Sequence, residues 1–100
     1  MSSHNRRAQK KDSNQDQLVA ELLSVPGFSV EVNPDDILCG FQNKTLWVEV
    51  KTPDCYSKKT GLLKESEKTK SQKMLDKTWT GSRIYAQCSE DVLRWFGVIK

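Results

Sequence analysis

Apolar residues recur along this chain at two spacings, which predict alternating helices and strands. In residues 13–23, leucines and a valine recur at helical spacing, and Ser13 is a suitable N-cap for that helix. Pro26-Gly27 ends it. Residues 28–32 then alternate between apolar and polar side chains, which is typical of a strand.

Residues 35–51 predict a β-hairpin of two strands that turn at Gln42-Asn43. In that register the numbers of paired residues sum to 85, so Asp36 lies directly opposite Glu49. A symmetric four-residue loop gives the same pairing, whereas an odd-length turn does not. Opposed residues have Cβ atoms ~4.5–5.5 Å apart, and like charges there are destabilising. A divalent cation between the two carboxylates removes that cost, and oxygen ligands are what Mg²⁺ takes.

The two faces of this hairpin differ in chemistry because side chains alternate along a strand. Glu49 and Lys51 share one face with Asp36, whereas Asp35 points away, and whether Asp35 has a part in metal binding stays open. The other face is almost wholly apolar and is predicted to pack on a helix; it carries Ile37, Cys39, Phe41, Leu46, Val48 and Val50. The charged cluster therefore lies where a metal and an attacking water could meet.

The second half of the chain predicts a long loop, a helix, a strand and a last helix. Residues 52–68 are polar, rich in lysine and without clear periodicity. Thr69 and Gln72 form a capping-box pattern at the start of a helix over 69–80. Residues 83–87 alternate as a strand, and Ser89 is predicted to cap the final helix. The order αβββαβα predicts a four-stranded mixed sheet flanked by helices, with helix 69–80 joining two parallel strands.

Composition adds charge to this picture. One hundred residues predict one domain over 13–100, preceded by a disordered basic tail at 1–12. The net charge is only +3, but residues 1–11 hold four cations and no acid, and residues 52–77 hold seven lysines against four acids. Both stretches are candidates for contacts to phosphate groups, and solvated, disordered segments are the alternative interpretation.

Several kinds of site are excluded by the residue types present. The only histidine is His4 in the tail, which argues against a histidine-built metal centre or a catalytic triad within the fold. The three cysteines lack metal-ligand spacing and predict reduced thiols in a cytoplasmic protein. No apolar run is long enough for a membrane span or a signal peptide, and no organic cofactor is expected.

This ordered set of motifs resembles the PD-(D/E)XK nuclease superfamily, and in particular the small stand-alone VRR-NUC type of phages and bacteria. The resemblance covers roughly residues 12–97 and rests on six segments: 12–15, 36–41, 46–51, 69–72, 79–81 and 89–91. An acid followed by Glu-x-Lys is a weak signal alone, but its position among elements of the right type is more specific. The chain departs from the family pattern in its paired Asp35-Asp36 and in lacking a glycine-rich approach to Pro34.

The resemblance implies a restriction-endonuclease-like fold and a Mg²⁺-dependent endodeoxyribonuclease, with Mn²⁺ able to substitute. It implies that Asp36, Glu49 and the Val50 carbonyl hold the metal. Lys51 would orient or help deprotonate the attacking water or neutralise the phosphate. Gln72 matches a family glutamine, although a capping residue needs no catalytic role. Gln15 is a possible residue lining the site or, alternatively, a partly buried polar group.

The expected partner is DNA, and the resemblance favours branched substrates such as four-way junctions, cut by a homodimer in the cytoplasm, or in the host cytoplasm if the chain is phage-encoded. The candidate phosphate contacts are Arg6, Arg7, Lys58, Lys59, Lys68, Lys70 and Lys73. Trp95 and Phe96 are candidate dimer anchors or, alternatively, core residues. The alternatives are a non-catalytic nucleic-acid-binding module on the same fold, or a protein-interaction module that uses the lysine-rich loop and Trp95.

Overall fold

The structure, a computed structural model, describes residues 14–34 and 36–100. It is a small mixed α/β domain with a four-stranded mixed sheet and, within the described residues, three α-helices. The elements follow the predicted order: α1 (Gln15–Leu23), β1 (Ser29–Val32), β2 (Asp36–Phe41), β3 (Lys44–Val50), α2 (Lys70–Thr78), β4 (Arg83–Ala86) and α3 (Ser89–Phe96). The predicted tail at 1–12, with Arg6, Arg7 and the Ser13 cap, lies outside the described residues, as does Asp35.

The strands lie in the order β1-β2-β3-β4. β2 is antiparallel to both β1 and β3, whereas β4 is parallel to β3. Parallel neighbours need a crossover connection, and α2 with the loop before it provides this one. The prediction that the second helix joins two parallel strands is therefore confirmed.

The hairpin between β2 and β3 has the predicted register. Both turn residues have positive φ, 53° at Gln42 and 65° at Asn43, as a two-residue hairpin turn of type I′ requires. Strand pairing runs from Phe41 opposite Lys44 at the turn to Asp36 opposite Glu49 at the far end. The two acids therefore face each other because this turn is two residues long.

The core lies on the apolar face of the hairpin. Its strand residues Ile37, Cys39, Leu46 and Val48 are fully buried and pack with the buried residues Leu18, Leu22, Val92 and Phe96 of α1 and α3. The ring of Phe96 meets those of Phe28 and Phe41 edge-on at 5.2 and 5.9 Å between centroids. Phe96 is thus a core residue and cannot anchor a dimer surface. Burial also raises the pKa of the Cys39 thiol to about 12.

The helix starts confirm one cap prediction and overturn another. Thr69 and Gln72 form the predicted capping box at α2, with each side chain bonded to the other's backbone N–H. Ser89 is the first helical residue of α3 and not its cap, because its hydroxyl donates instead to Glu21 Oε1 of α1 at 2.6 Å. This bond ties α3 to α1, a long-range contact that the local sequence does not reveal.

Among residues 14–34 and 36–100, no helix has both the length and the apolar character needed to cross a bilayer.

Candidate active site

An open cleft of about 660 Å³ lies against the charged face of the hairpin, at the end away from the turn. The end of β3, the loop that follows it, the start of α2 and the first residue of α1 form its walls. The sequence-predicted residues that line it are Gln15, Asp36, Glu49, Val50, Lys51 and Gln72. The structure thus gathers into one cleft six residues that span positions 15 to 72 of the chain.

Asp36 begins β2 and is half-buried at one side of this cleft. Its Oδ2 accepts a hydrogen bond from Trp47 Nε1 at 2.9 Å, and its Oδ1 accepts one from Asn33 Nδ2 at 3.0 Å. These two bonds orient the carboxylate. Asp36 has no salt bridge to any residue that the structure describes, so its negative charge is left for a cation that enters the cleft.

Glu49 lies opposite Asp36 and is only 3% exposed. Its Oε1 accepts a hydrogen bond from Gln72 Nε2 at 3.2 Å. Its Oε2 accepts two from Arg83, from Nη2 at 3.0 Å and from Nε at 3.3 Å. A buried charge needs a partner, and Arg83 provides it here. The repulsion expected from the hairpin register is therefore partly offset within the protein itself.

Arg83 is a site residue that the sequence analysis missed. It begins β4 and pairs with Trp47 of β3, which places its side chain on the charged face. Side chains alternate along a strand, and Ile84 lies on the apolar face of the sheet. That alternation was the sequence signal that Arg83 and Tyr85 lie together on the opposite, charged face. Only the parallel register of β4, however, puts Arg83 within reach of Glu49.

A polar cluster behind the cleft holds Arg83 in place. Its Nη1 donates to Asp76 Oδ1 at 2.7 Å, and its Nη2 donates to Tyr85 Oη at 3.2 Å. Tyr85 in turn donates to Asp76 at 2.9 Å, and Lys68 bridges Asp76 and Glu65 at 2.9 and 2.8 Å. Asp76 of α2 is the common acceptor, so this cluster fixes α2 against the sheet.

The pKa values of this cluster follow from these contacts. Burial raises the pKa of Asp76, but hydrogen bonds from Arg83, Lys68 and Tyr85 outweigh it and hold that pKa at about 2. Burial likewise disfavours the charged form of Arg83, yet its bonds to Asp76, Tyr85 and Glu49 raise its pKa above the ordinary value. Hydrogen bonds to Glu65 and Asp76 raise the pKa of Lys68. All three groups are therefore charged at neutral pH.

Gln72 caps α2, as the sequence predicts, and its side chain also contacts Glu49 of the candidate site. Its Oε1 accepts the backbone N–H of Thr69 at 3.0 Å and completes the capping box of α2. Its Nε2 points the other way and donates to Glu49. The cap thus fixes the amide so that its donor end faces the carboxylate, which orients Glu49 as outer-shell hydrogen bonds orient metal ligands.

Lys51 follows the last residue of β3 and lines the cleft. Its Nζ donates to the backbone carbonyl of Glu67 at 2.8 Å. An ammonium group has three donors, so this bond leaves two for other groups in the cleft. The backbone here is fixed from α1, because Asn14 Nδ2 donates to the carbonyls of Lys51 and Gln87 at 2.9 and 3.2 Å.

Gln15 follows Asn14 in α1 and is 4% exposed, with its side chain at the wall of the cleft. This position matches the expectation that it points towards the site. It carries no chemistry of its own beyond an amide that can donate or accept a hydrogen bond.

The candidate phosphate-binding lysines fall into two groups. Lys58, Lys59, Lys70 and Lys73 are exposed. Lys58 and Lys59 lie at the tip of the loop, which an isolated bridge between Tyr56 and Leu63 closes. Lys68 differs, because it is half-buried and already bound to two carboxylates. It therefore has a structural role, and its ammonium is less available to a nucleic acid.

The residues of the cleft fit a hard divalent cation in their chemistry. Within the described residues there is no group of three or more Asp, Glu, His or Cys side chains that could hold a metal. Two carboxylates are nevertheless a common Mg²⁺ site, since this ion keeps waters and takes substrate phosphates as further ligands. A carboxylate has about four lone-pair sites. Asp36 accepts two hydrogen bonds and Glu49 three, so both retain acceptor capacity.

No protein-family model, curated protein or solved structure matches this chain.

Proposed function

We propose that this protein is a metal-dependent endonuclease that hydrolyses phosphodiester bonds in DNA. The observation that carries the proposal is the pair of facing carboxylates, Asp36 and Glu49, at the wall of an open cleft that also holds Lys51 and Gln72. The order of the elements and these residues support a restriction-endonuclease-like arrangement similar to the small VRR-NUC type. A sheet gains no stability from opposed acids, so a role in binding a cation explains them better.

In this proposal Asp36, Glu49 and the Val50 carbonyl hold Mg²⁺ or Mn²⁺. When bound, such an ion lowers the pKa of its water and stabilises negative charge on the phosphoryl group. The protein's own part is orientation: Trp47 and Asn33 hold Asp36, and Gln72 holds Glu49. These bonds keep the carboxylates in place before the substrate arrives.

Lys51 is proposed to contact the scissile phosphate. Its Nζ is anchored on the Glu67 carbonyl, which keeps the ammonium at the cleft and leaves two donors for phosphate oxygens. A positive charge held there stabilises the negative charge that builds up as water attacks. The same ammonium can also orient that water by donating a hydrogen bond to its oxygen.

The substrate is proposed to be DNA with a branched structure, such as a four-way junction. Exposed lysines at the loop tip and at the start of α2 offer contacts to the phosphate backbone; they are Lys58, Lys59, Lys70 and Lys73. Contacts of this kind position a protein without reading bases, which suits recognition by shape. Action in the cytoplasm, or in the host cytoplasm for a phage protein, is part of the same proposal.

The test is cleavage by the purified chain with Mg²⁺ or Mn²⁺ on single-stranded, duplex, flap and four-way-junction DNA. Glu49→Gln and Asp36→Asn should each reduce cleavage by about two orders of magnitude or more, because the metal's contribution is worth several kcal/mol. Both variants should still bind the DNA, since the exposed lysines are unchanged.

Glu90→Gln is the matched control, because Glu90 is an exposed acid of α3, which covers the other face of the sheet, and loses the same charge. It should cleave like the original chain. Undiminished cleavage by pure Glu49→Gln protein would rule out the assigned site.

A second candidate function is a non-catalytic nucleic-acid-binding module. The ion pair between Glu49 and Arg83 favours it, because a carboxylate that is neutralised within the protein does not need a metal. This candidate predicts binding to DNA with no cleavage of any of the four substrates in either metal. Binding of DNA by the original chain, with no metal bound by that chain, would support it over the nuclease.

A further inference from the structure

Arg83 contacts Glu49, one of the two facing carboxylates. Its side chain is 6% exposed and that of Glu49 is 4% exposed, so water hardly screens their salt bridge. The guanidinium carbon is also 5.4 Å from the ring centroid of Trp47, the residue whose indole N–H holds Asp36. One cation thus contacts Glu49 and the residue that orients Asp36.

We propose that Arg83 is a positioning residue that serves as the internal counter-ion of Glu49 and competes with a divalent cation for that carboxylate. The proposal rests on the metal site of the proposed function. A buried carboxylate is costly when it has no partner, so Arg83 keeps Glu49 charged and oriented before a metal binds. A metal on Glu49 then shares its ligand with a guanidinium of the same sign, and their repulsion weakens metal binding.

Asp76 is the second anion that this arrangement requires. It accepts Nη1 of Arg83 at 2.7 Å while Nη2 and Nε are on Glu49. Arg83 therefore remains paired with an acid when a metal takes over part of the charge of Glu49. The low pKa of Asp76 keeps that acid ionised throughout the neutral range.

A purely structural salt bridge makes the opposite prediction about metal affinity. If Arg83 only ties β4 and α2 to β3, its removal lets Glu49 move and leaves metal binding unchanged or weaker. If Arg83 competes with the metal, its removal strengthens metal binding although it destabilises the fold. The sign of the change in affinity therefore separates the two roles.

The experiment measures Mn²⁺ binding to the full chain without DNA, by calorimetry and by the paramagnetic resonance signal of free Mn²⁺. Arg83→Gln should bind Mn²⁺ about tenfold more tightly or better, as expected when a nearby like charge in a poorly screened site is removed. Arg94→Gln is the matched control, because Arg94 is a half-exposed arginine of α3 that binds Asp91 and the Lys100 carbonyl, and it loses the same charge. It should leave the affinity within about twofold, and Asp36→Asn should abolish binding if the ion measured is the one in the cleft.

Thermal unfolding provides a second readout. Without metal, Arg83→Gln should melt at a lower temperature than the original chain. Saturating Mn²⁺ should then raise the melting temperature of Arg83→Gln by more than it raises that of the original chain. Unchanged or weaker Mn²⁺ binding by folded Arg83→Gln protein would overturn the proposal.

Asp76→Asn keeps the proposal testable even if Arg83→Gln does not fold. It removes the charge of the other acid that holds Arg83. The guanidinium then interacts more strongly with Glu49, so Mn²⁺ binding should weaken. Equal affinity in Asp76→Asn and the original chain would count against competition. Cleavage by the original chain tests the nuclease separately. If that chain cleaves and both variants bind Mn²⁺ as it does, only the proposed role of Arg83 is wrong. If neither the original chain nor any variant binds Mn²⁺, both proposals are wrong.

Discussion

At the scale of single residues, the chemistry of this protein depends on which group contacts each carboxylate. Among the described residues, Asp36 accepts hydrogen bonds from neutral donors, Asn33 and Trp47, whereas Glu49 accepts them from a neutral amide and a guanidinium. The two acids are therefore unequal although they face each other in the sheet. No described residue forms a salt bridge with Asp36, whereas Arg83 forms one with Glu49.

Asp76 gives a pH-dependent prediction at this scale. Its pKa is about 2 in the fold and 3.8 as an ordinary side chain, so the folded state favours its ionised form. The stability that this adds is fully present above about pH 4 and is lost as the pH falls towards 2. Asp76→Asn should thus lower stability at neutral pH and flatten the decline of stability between pH 4 and 2, measured by urea unfolding at each pH.

Asp16→Asn is the control for this series, because Asp16 is an exposed acid of α1 with no contact to the cluster around Arg83. Asp16→Asn should lose stability between pH 4 and 2 with the same slope as the original chain. If Asp76→Asn also keeps that slope, then Asp76 is not tied to Arg83, Lys68 and Tyr85 as described.

At the scale of elements, α2 matters most for the site because its start does two things at once. The capping box between Thr69 and Gln72 satisfies backbone N–H groups at the helix start, and the same Gln72 side chain reaches Glu49. Further along the helix, Asp76 anchors Arg83. A nine-residue helix is marginal alone, so its position depends on these contacts at its cap and on its sheet-facing side.

Thr69→Ala should therefore affect both the helix and the site. Loss of the cap should cost about 1 kcal/mol of unfolding free energy, which urea unfolding measures. Cleavage should fall as well, because Gln72 loses the partner that fixes its amide towards Glu49. Thr69→Ser keeps the hydroxyl and should restore both properties, whereas a Thr69→Ala variant that cleaves as fast as the original chain would argue against a role for the cap in the site.

At the scale of the whole molecule, the sheet separates two tasks. Helices α1 and α3 cover its apolar face and form the core, while α2 and the loop before it border the cleft on the charged face. Apolar side chains also remain on the surface near the C-terminus, with Trp95 38% and Val98 39% exposed. With Phe96 buried in the core, Trp95 is the aromatic residue of α3 that is left for contact with a partner.

We predict a homodimer that cuts both strands of a symmetric branched substrate, since a small chain that makes one cut at the Asp36–Glu49 pair makes two cuts most simply as a two-fold pair. Light scattering at micromolar concentration should give about twice the 11.4 kDa of one chain. Trp95→Glu should convert the dimer to monomers if Trp95 anchors it. A mass near 11.4 kDa both alone and on junction DNA contradicts the dimer and leaves the chemistry of the cleft untouched.

The sequence by itself determined the local parts of this protein. Alternation of apolar and polar residues defined the strands, and the capping pattern at Thr69 defined the start of α2. The two-residue turn defined the pairing of Asp36 with Glu49, because a hairpin register depends only on its own turn. These features rest on contacts between residues close in the chain, and for that reason the hairpin acids could be named as a candidate site.

Only the tertiary structure decided what surrounds those acids. The salt bridge of Arg83 to Glu49 depends on the register of β4 against β3, which are joined by a long crossover and not by a tight turn. The bond of Ser89 to Glu21, which replaces its predicted cap role, joins two helices 68 positions apart. Local patterns carry no information about such distant pairs, because packing of the helices on the sheet brings them together. The counter-ion of Glu49 was therefore visible only in the folded chain.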